Sequence, residues 1–151
     1  MPLNFIVGVD PGKHTGYGIL DKSLKYWESG VKDFHSIQKM LDSIFPNKDE
    51  VKIFVELPPQ FTYSRNRGRD DKAQFGDFQA MAIGGNRREA ELLKGALENL
   101  GFDVEHVPPV RQQKWDAELF QAATGSYKRT NEHERDAVRL AMHYATKRIR
   151  R

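Results

Sequence analysis

Cysteine is absent from this 151-residue chain. Its absence excludes disulfides and thiolate metal sites, and it fits a reducing, cytoplasmic setting. No stretch approaches the roughly 20 apolar residues that a membrane helix needs, so no membrane association is expected. The opening MPLNFIVGVD has neither a basic start nor a small-residue cleavage site, and does not read as a secretion signal. Repeats, low-complexity tracts and linkers are also missing. What remains reads as one soluble domain spanning 1–151. Its hydrophobic fraction of 38% and charged fraction of 30% fit a globular chain with a core of its own.

Net charge is small at +3, but its distribution is uneven. YSRNRGRDDK (63–72) places Arg65, Arg67 and Arg69 at alternate positions beside Phe61 and Tyr63, and NRRE carries Arg87 and Arg88. KRIRR closes the chain. Any one run reads as a solvated face, and the last as a frayed tail. Several in a small domain point to phosphate backbones.

The apolar run LNFIVGV (3–9) reads as a buried strand, followed by shorter strands at 17–21 and 24–29 joined by a turn near Asp21–Ser23. Residues 34–45 have helical apolar spacing and stop at Pro46. VKIFVEL (51–57) is another strand, and 58–71 is a polar, Pro- and Gly-containing loop. A long helix is expected from about Lys72 to Leu100, closed by Gly101, then a strand at 102–107. The segment 110–125 reads as wholly or partly helical. The last helix spans 131–149, with Asn131 and Glu134 in capping-box spacing. The order βββαβαβαα predicts an α/β fold with a mixed sheet flanked by helices.

Against that frame some acidic residues look costly. Asp10 ends the first strand and Glu56 the fourth; parallel neighbours would set them side by side. Like charges that close raise a pKa or recruit a cation. Asp136 lies in the last helix with His133 one turn earlier on the same face. Three carboxylates and an imidazole suit Mg²⁺ or Mn²⁺, the imidazole favouring Mn²⁺. Each also has an ordinary reading. Asp10-Pro-Gly is turn chemistry, Glu56 pairs with an arginine of the next loop, and NEHERD is a solvated helix start. Together and in this order, they read as a metal site.

VGVDPGKHTGYGIL (7–20), IFVELPP and HERDAVRLAMHYA resemble, in order, the RuvC family of Holliday-junction resolvases in the ribonuclease H-like superfamily. The resemblance covers nearly the whole chain. It implies a ribonuclease H-like, five-stranded sheet. It also implies a homodimer that cuts two opposing strands of a four-way or other branched DNA in recombination and repair, leaving 5′-phosphate ends. Two divalent ions per active site are implied, held by Asp10, Glu56, Asp136 and His133. Lys114 matches a lysine that family members often place near the cleaved phosphate, although it also reads as a solvated helix residue. Relatives wedge the junction open with an aromatic after the glutamate. Phe61 and Tyr63 both qualify, each also reading as packing beneath its loop. The long basic loop 58–71 departs from the family pattern, as does the early chain end. These point to a compact, phage-type or divergent member.

The turn holding Lys13 and His14 could cradle phosphate through its N–H groups. A similar hairpin serves sugar kinases and actin-like ATPases. Those need a second lobe with its own phosphate loop, which this chain lacks, so no nucleotide cofactor is expected. Pre-ribosomal RNA nucleases share the sheet and carboxylates but carry arginine before the second glycine, where Thr15 stands here. An RNA or other branched-DNA nuclease, or a non-catalytic module that binds branched DNA by charge and shape, remain the alternatives. Gly84 and Gly85 inside the long helix imply close backbone approach, to the sheet or to a partner subunit. Trp27 and Trp115 read as buried or half-buried, and His35, His106 and His143 as structural.

Replacing Arg65 and Arg67 together with alanine should weaken DNA binding and flatten its salt dependence by about one log–log unit per lost phosphate contact. A titration series over salt concentration measures this, and an unchanged slope removes the loop from the DNA surface.

Overall fold

The computed structural model describes residues 2–59 and 70–149, with side chains described outside 70–84. Phe61, Tyr63, Arg65, Arg67 and Arg69 lie outside the described residues. Strands β1 (Phe5–Asp10), β2 (Thr15–Asp21) and β3 (Tyr26–Lys32) precede helix α1 (Phe34–Ile44). A single 3₁₀ turn (Lys48–Glu50) leads into β4 (Val51–Glu56), then α2 (Asp70–Asn99), β5 (Asp103–Val107), α3 (Ala117–Thr124) and α4 (Glu132–Arg148). The five strands form one sheet in the order β3-β2-β1-β4-β5. The β1–β2 and β2–β3 pairs are antiparallel, and β1–β4 and β4–β5 are parallel. This is the expected mixed sheet.

Strand alternation divides the core between two faces. Val7, Val9, Ile19, Ile53 and Val55 pack with Ile37 and Leu41 of α1 and Leu93 and Leu97 of α2. Ile6, Leu20 and Phe54 point the other way, onto Phe120 of α3 and Val138, Ala141 and Tyr144 of α4. Counting by twos, Gly8 and Asp10 share the side of Ile6, and Glu56 shares that of Phe54. Alternation therefore delivers both strand-end carboxylates to the α4 face.

On that face α4 lies against bare backbone. A Cβ on Gly8 would overlap the carbonyl oxygen of Ala137, one on Gly16 that of His133, and one on Gly18 the main chain and side chain of Val138. Gly8 pairs with Gly18, and Gly16 with Asp10. The helix start is pinned as well. The Asn131–Glu134 capping box is formed. The buried Glu134 carboxylate accepts from Ser29 Oγ on β3 at 2.6 Å and from Lys128 Nζ at 3.1 Å.

Several local expectations change. Leu24 sits at φ 65° in the β2–β3 turn. There Asp21 Oδ1 accepts from the amides of Ser23 and Lys25 at 2.8 and 3.0 Å, so β3 starts at Tyr26 rather than 24. Trp27 is 52% exposed. It faces out from the edge strand, resting on Phe5 and Phe45, so it is not a core residue. Trp115 is half-buried. Among the described residues nothing lies within 4 Å of a Cβ on Gly85. Among the described residues no helix is long and apolar enough to cross a membrane.

Gly8→Ala should destabilise the fold by about 2–3 kcal/mol, because the added methyl meets helix backbone that cannot rotate away. Denaturant unfolding measures it. A change below about 0.5 kcal/mol would show that α4 can lift from β1 without cost.

Candidate active site

Asp10 and Glu56 occupy the carboxyl ends of adjacent parallel strands, one step beyond the Val9–Val55 pair. Their side chains share a hydrogen bond. Burial, then the hydrogen bond and charge of Asp10, push the Glu56 carboxyl up to about 8. Burial also raises Asp10, partly offset by the hydrogen bond from Glu56. Burial and like charge thus oppose ionisation of both carboxyls of the pair at once.

Helix α4 adds the next two groups. Its backbone sits on Gly16 at His133, which brings His133 Nδ1 to 3.6 Å from Asp10 Oδ2. One turn on, Asp136 faces the same cleft. Lys114, on the strap 111–116 before α3, places Nζ 3.5 Å from Asp136 Oδ2. Arg139 Nη2 lies 4.0 Å from the other oxygen. These groups, with Pro11, Gly12, Lys13, His14 and Asn86, line a cleft of about 460 Å³. Lys13 and His14 are exposed on its turn, the His14 ring 6.5 Å from that of His133. The turn is closed by Thr15 Oγ1 donating to Gly12 O at 3.4 Å.

The structure therefore brings together Asp10, Glu56, His133, Asp136, Lys114, Lys13 and His14 at one place. It does not add Arg87, which donates to Pro58 O at 2.6 Å and sits 3.5 Å from Glu91. His106 ties Ala90 O at 3.0 Å, in a structural position. Lys114 is not on a helix: 111–116 is irregular and α3 starts only after the Asp116 cap. Arg135 Nε and Arg139 Nη1 take the carbonyls of Trp115, Gln112 and Gln113, oxygens that a helix through this stretch would turn toward its own amides.

Two contributors are not apparent from strand and helix patterns. One is the glycine set Gly8, Gly16 and Gly18, whose signal is three glycines at even spacing on two paired strands. The other is Arg139, whose signal is a charge inside the apolar run AVRLAMHYA.

As the side chains sit, no three Asp, Glu or His groups among the described residues form a closed coordination set. Asp10 is turned to Glu56 and His133, and Asp136 to Lys114 and Arg139. The donor chemistry nevertheless fits a hard divalent cation. Two buried carboxylates in contact need a proton or a cation between them, and a third carboxylate and an imidazole stand at the same cleft.

No sequence-family model and no curated protein sequence matches the chain. Among solved structures, RuvC of T. thermophilus in complex with a Holliday junction substrate matches over 96% of each chain, with a TM-score of 0.55 at 16% identity. A second structure of Thermus thermophilus RuvC covers 95% of this chain and 96% of its own, with a TM-score of 0.56 at 18% identity. The fold is thus the RuvC, ribonuclease H-like one.

The raised Glu56 pKa has a defined stability consequence. Its contribution is fully present below the unfolded value of about 4.5 and is lost as pH rises through about 8. In chelator, Glu56→Gln should keep the hydrogen bond to Asp10 without a titrating charge. Its Tm should exceed that of the parent by at least about 3 °C near pH 9, and the gap should narrow toward pH 5. Parallel Tm–pH curves would refute the raised Glu56 pKa.

Proposed function

We propose that the protein is a divalent-metal-dependent endonuclease that acts, as a homodimer, on four-way or otherwise branched DNA. The observation that carries this reading is the gathering of Asp10, Glu56, His133 and Asp136, with Lys114, in one cleft at the strand ends of a RuvC-like fold. RuvC of T. thermophilus, a structural neighbour over nearly all of both chains, was captured with a Holliday junction substrate. The likeness supports a DNA substrate of that kind for this chain.

In this reading Asp10 is the shared ligand, flanked by Glu56 on one side and by His133 on the other, with Asp136 opposite. Bound Mg²⁺ or Mn²⁺, two ions per site, would supply an activated water and charge stabilisation at the leaving 3′ oxygen of an in-line displacement. Glu56 would hold a cation as its carboxylate, since a cation would relieve the repulsion that raises its pKa. The exposed Nζ of Lys114 meets a phosphate entering above Asp136, and Lys13 and His14 face the strand from the Pro11–His14 turn. Lys13, His14 and Lys114 are exposed at the cleft, beside exposed Glu132, while Asp10, Glu56 and Asp136 are partly buried in it, so the exposed basic groups can meet a phosphodiester. The product is a 5′ phosphate and a free 3′ hydroxyl.

Incubation of a synthetic four-way junction, a duplex, a flap and single-stranded RNA with Mg²⁺, Mn²⁺ or EDTA tests the proposal. Symmetric, metal-dependent nicks in the junction with the linear substrates spared are expected. Cutting of flap or RNA instead would retain the nuclease and replace the substrate, while tight binding without any cutting would favour a binding module. Asp10→Asn should reduce cleavage by at least about 10³-fold while leaving junction binding within about threefold. Loss of binding together with cleavage would contradict the assignment.

A further inference from the structure

Arg139 is 7% exposed on a helix face whose neighbours are Ala137, Val138, Leu140 and Ala141. A buried guanidinium among such residues is costly unless every donor is used, and among the described residues its Nε has no hydrogen-bond partner. Its Nη1 acts on one short stretch of chain. Nη1 donates to Gln112 O at 3.0 Å and to Gln113 O at 2.9 Å, and Nη2 stands 4.0 Å from Asp136 Oδ1. One turn earlier on the same face, Arg135 Nε donates to Trp115 O at 3.1 Å, and its Nη1 anchors Thr130 O at 2.8 Å. The carbonyls on both sides of Lys114 are therefore held by α4, while the Lys114 side chain itself is 73% exposed and reaches Asp136 Oδ2 at 3.5 Å.

We propose that Arg139, with Arg135 beside it, is a positioning residue: the two guanidiniums clamp the strap 111–116 so that Lys114 stands over Asp136. The functional part of this rests on the reading above, in which Lys114 meets the phosphate. The geometry explains why the position takes arginine. Arg139 meets two strap carbonyls through Nη1 and faces Asp136 with Nη2, two directions that the single nitrogen of a lysine does not serve together. Residues 111–115 lie in no helix or strand, and Asp116 at the end of the strap caps α3. Asp136 receives one cation on each oxygen, so the clamp and the lysine register on the same carboxylate. A lysine exposed to this degree gains a defined place only from the backbone that carries it.

A double-mutant cycle tests this on the full chain, combining Arg139→Met with Lys114→Ala. Arg139→Met should lower kcat on the junction by at least about tenfold, a misplacement effect. In the Lys114→Ala background the same change should cost less than about twofold, because the residue acts through the lysine. Additive losses would overturn the proposal, as would a Lys114→Ala variant of full activity. Tryptic scission after Lys114, followed by mass spectrometry on protein shown to be folded, reads the clamp without catalysis. It should run several-fold faster in Arg139→Met than in the parent, and an unchanged rate would overturn the clamp. Should Arg139→Met not fold, Arg139→Lys, which keeps the charge and loses the fork, goes through the same cycle with the same criteria. If the parent cuts no nucleic acid, the proposed function fails, and the scission rate still decides the clamp.

Discussion

Helix α4 rests on β1 and β2 with no side chain between them at Gly8, Gly16 and Gly18. That close seating sets the depth of His133 and Asp136 relative to Asp10, and so the dimensions of the cleft. A side chain at any of the three would raise the helix and draw two of the four proposed ligands away from the other two. The buried Glu134, tied to Ser29 and Lys128, holds the start of the same helix at the sheet edge. The helix is thus fixed by absent side chains along its middle and by a satisfied buried carboxylate at its end. Both devices serve one distance.

The cost of the site is paid where Asp10 and Glu56 meet. Burial of two carboxyls in contact opposes ionisation, and both are raised from their ordinary values. The same repulsion is what gives a divalent cation its advantage there. In the proposed reading, the site therefore trades stability of the metal-free fold for affinity toward cations. Lys114 and Arg139 balance Asp136, the third carboxylate, from outside the pair.

α4 carries a second duty on its outer side. Arg135 and Arg139 organise the strap before α3, a stretch with little regular bonding of its own. One helix thus presents ligands from its first turns and shapes the segment that brings Lys114 to the rim. Irregular backbone close to a site is tolerated when side chains take its carbonyls, and here two arginines do so.

Much of this was legible in the residues. Apolar runs broken by Asp21, Pro46 and Gly101 marked the elements in order. Asp10 and Glu56, each ending an apolar run, marked strand ends, and Asn131 with Glu134 marked the helix start. These are local signals, set by periodicity, capping and turn chemistry within a few residues. The long-range features had no such signal. The stretch 110–125 reads as wholly or partly helical; which part is irregular is settled by Arg135 and Arg139, 20 or more residues away in sequence, which claim the carbonyls of the strap. Trp27 reads as buried until β3 is known to be the sheet edge. The sequence by itself determined which segments are strands and helices and which carboxylates end them, because those depend on neighbours along the chain. Tertiary structure alone decided that Gly8, Gly16 and Gly18 form one seat, that Asp10 and Glu56 share a hydrogen bond, and that Lys114 reaches Asp136. Each of those depends on which strand lies beside which, and on how closely a helix can approach them.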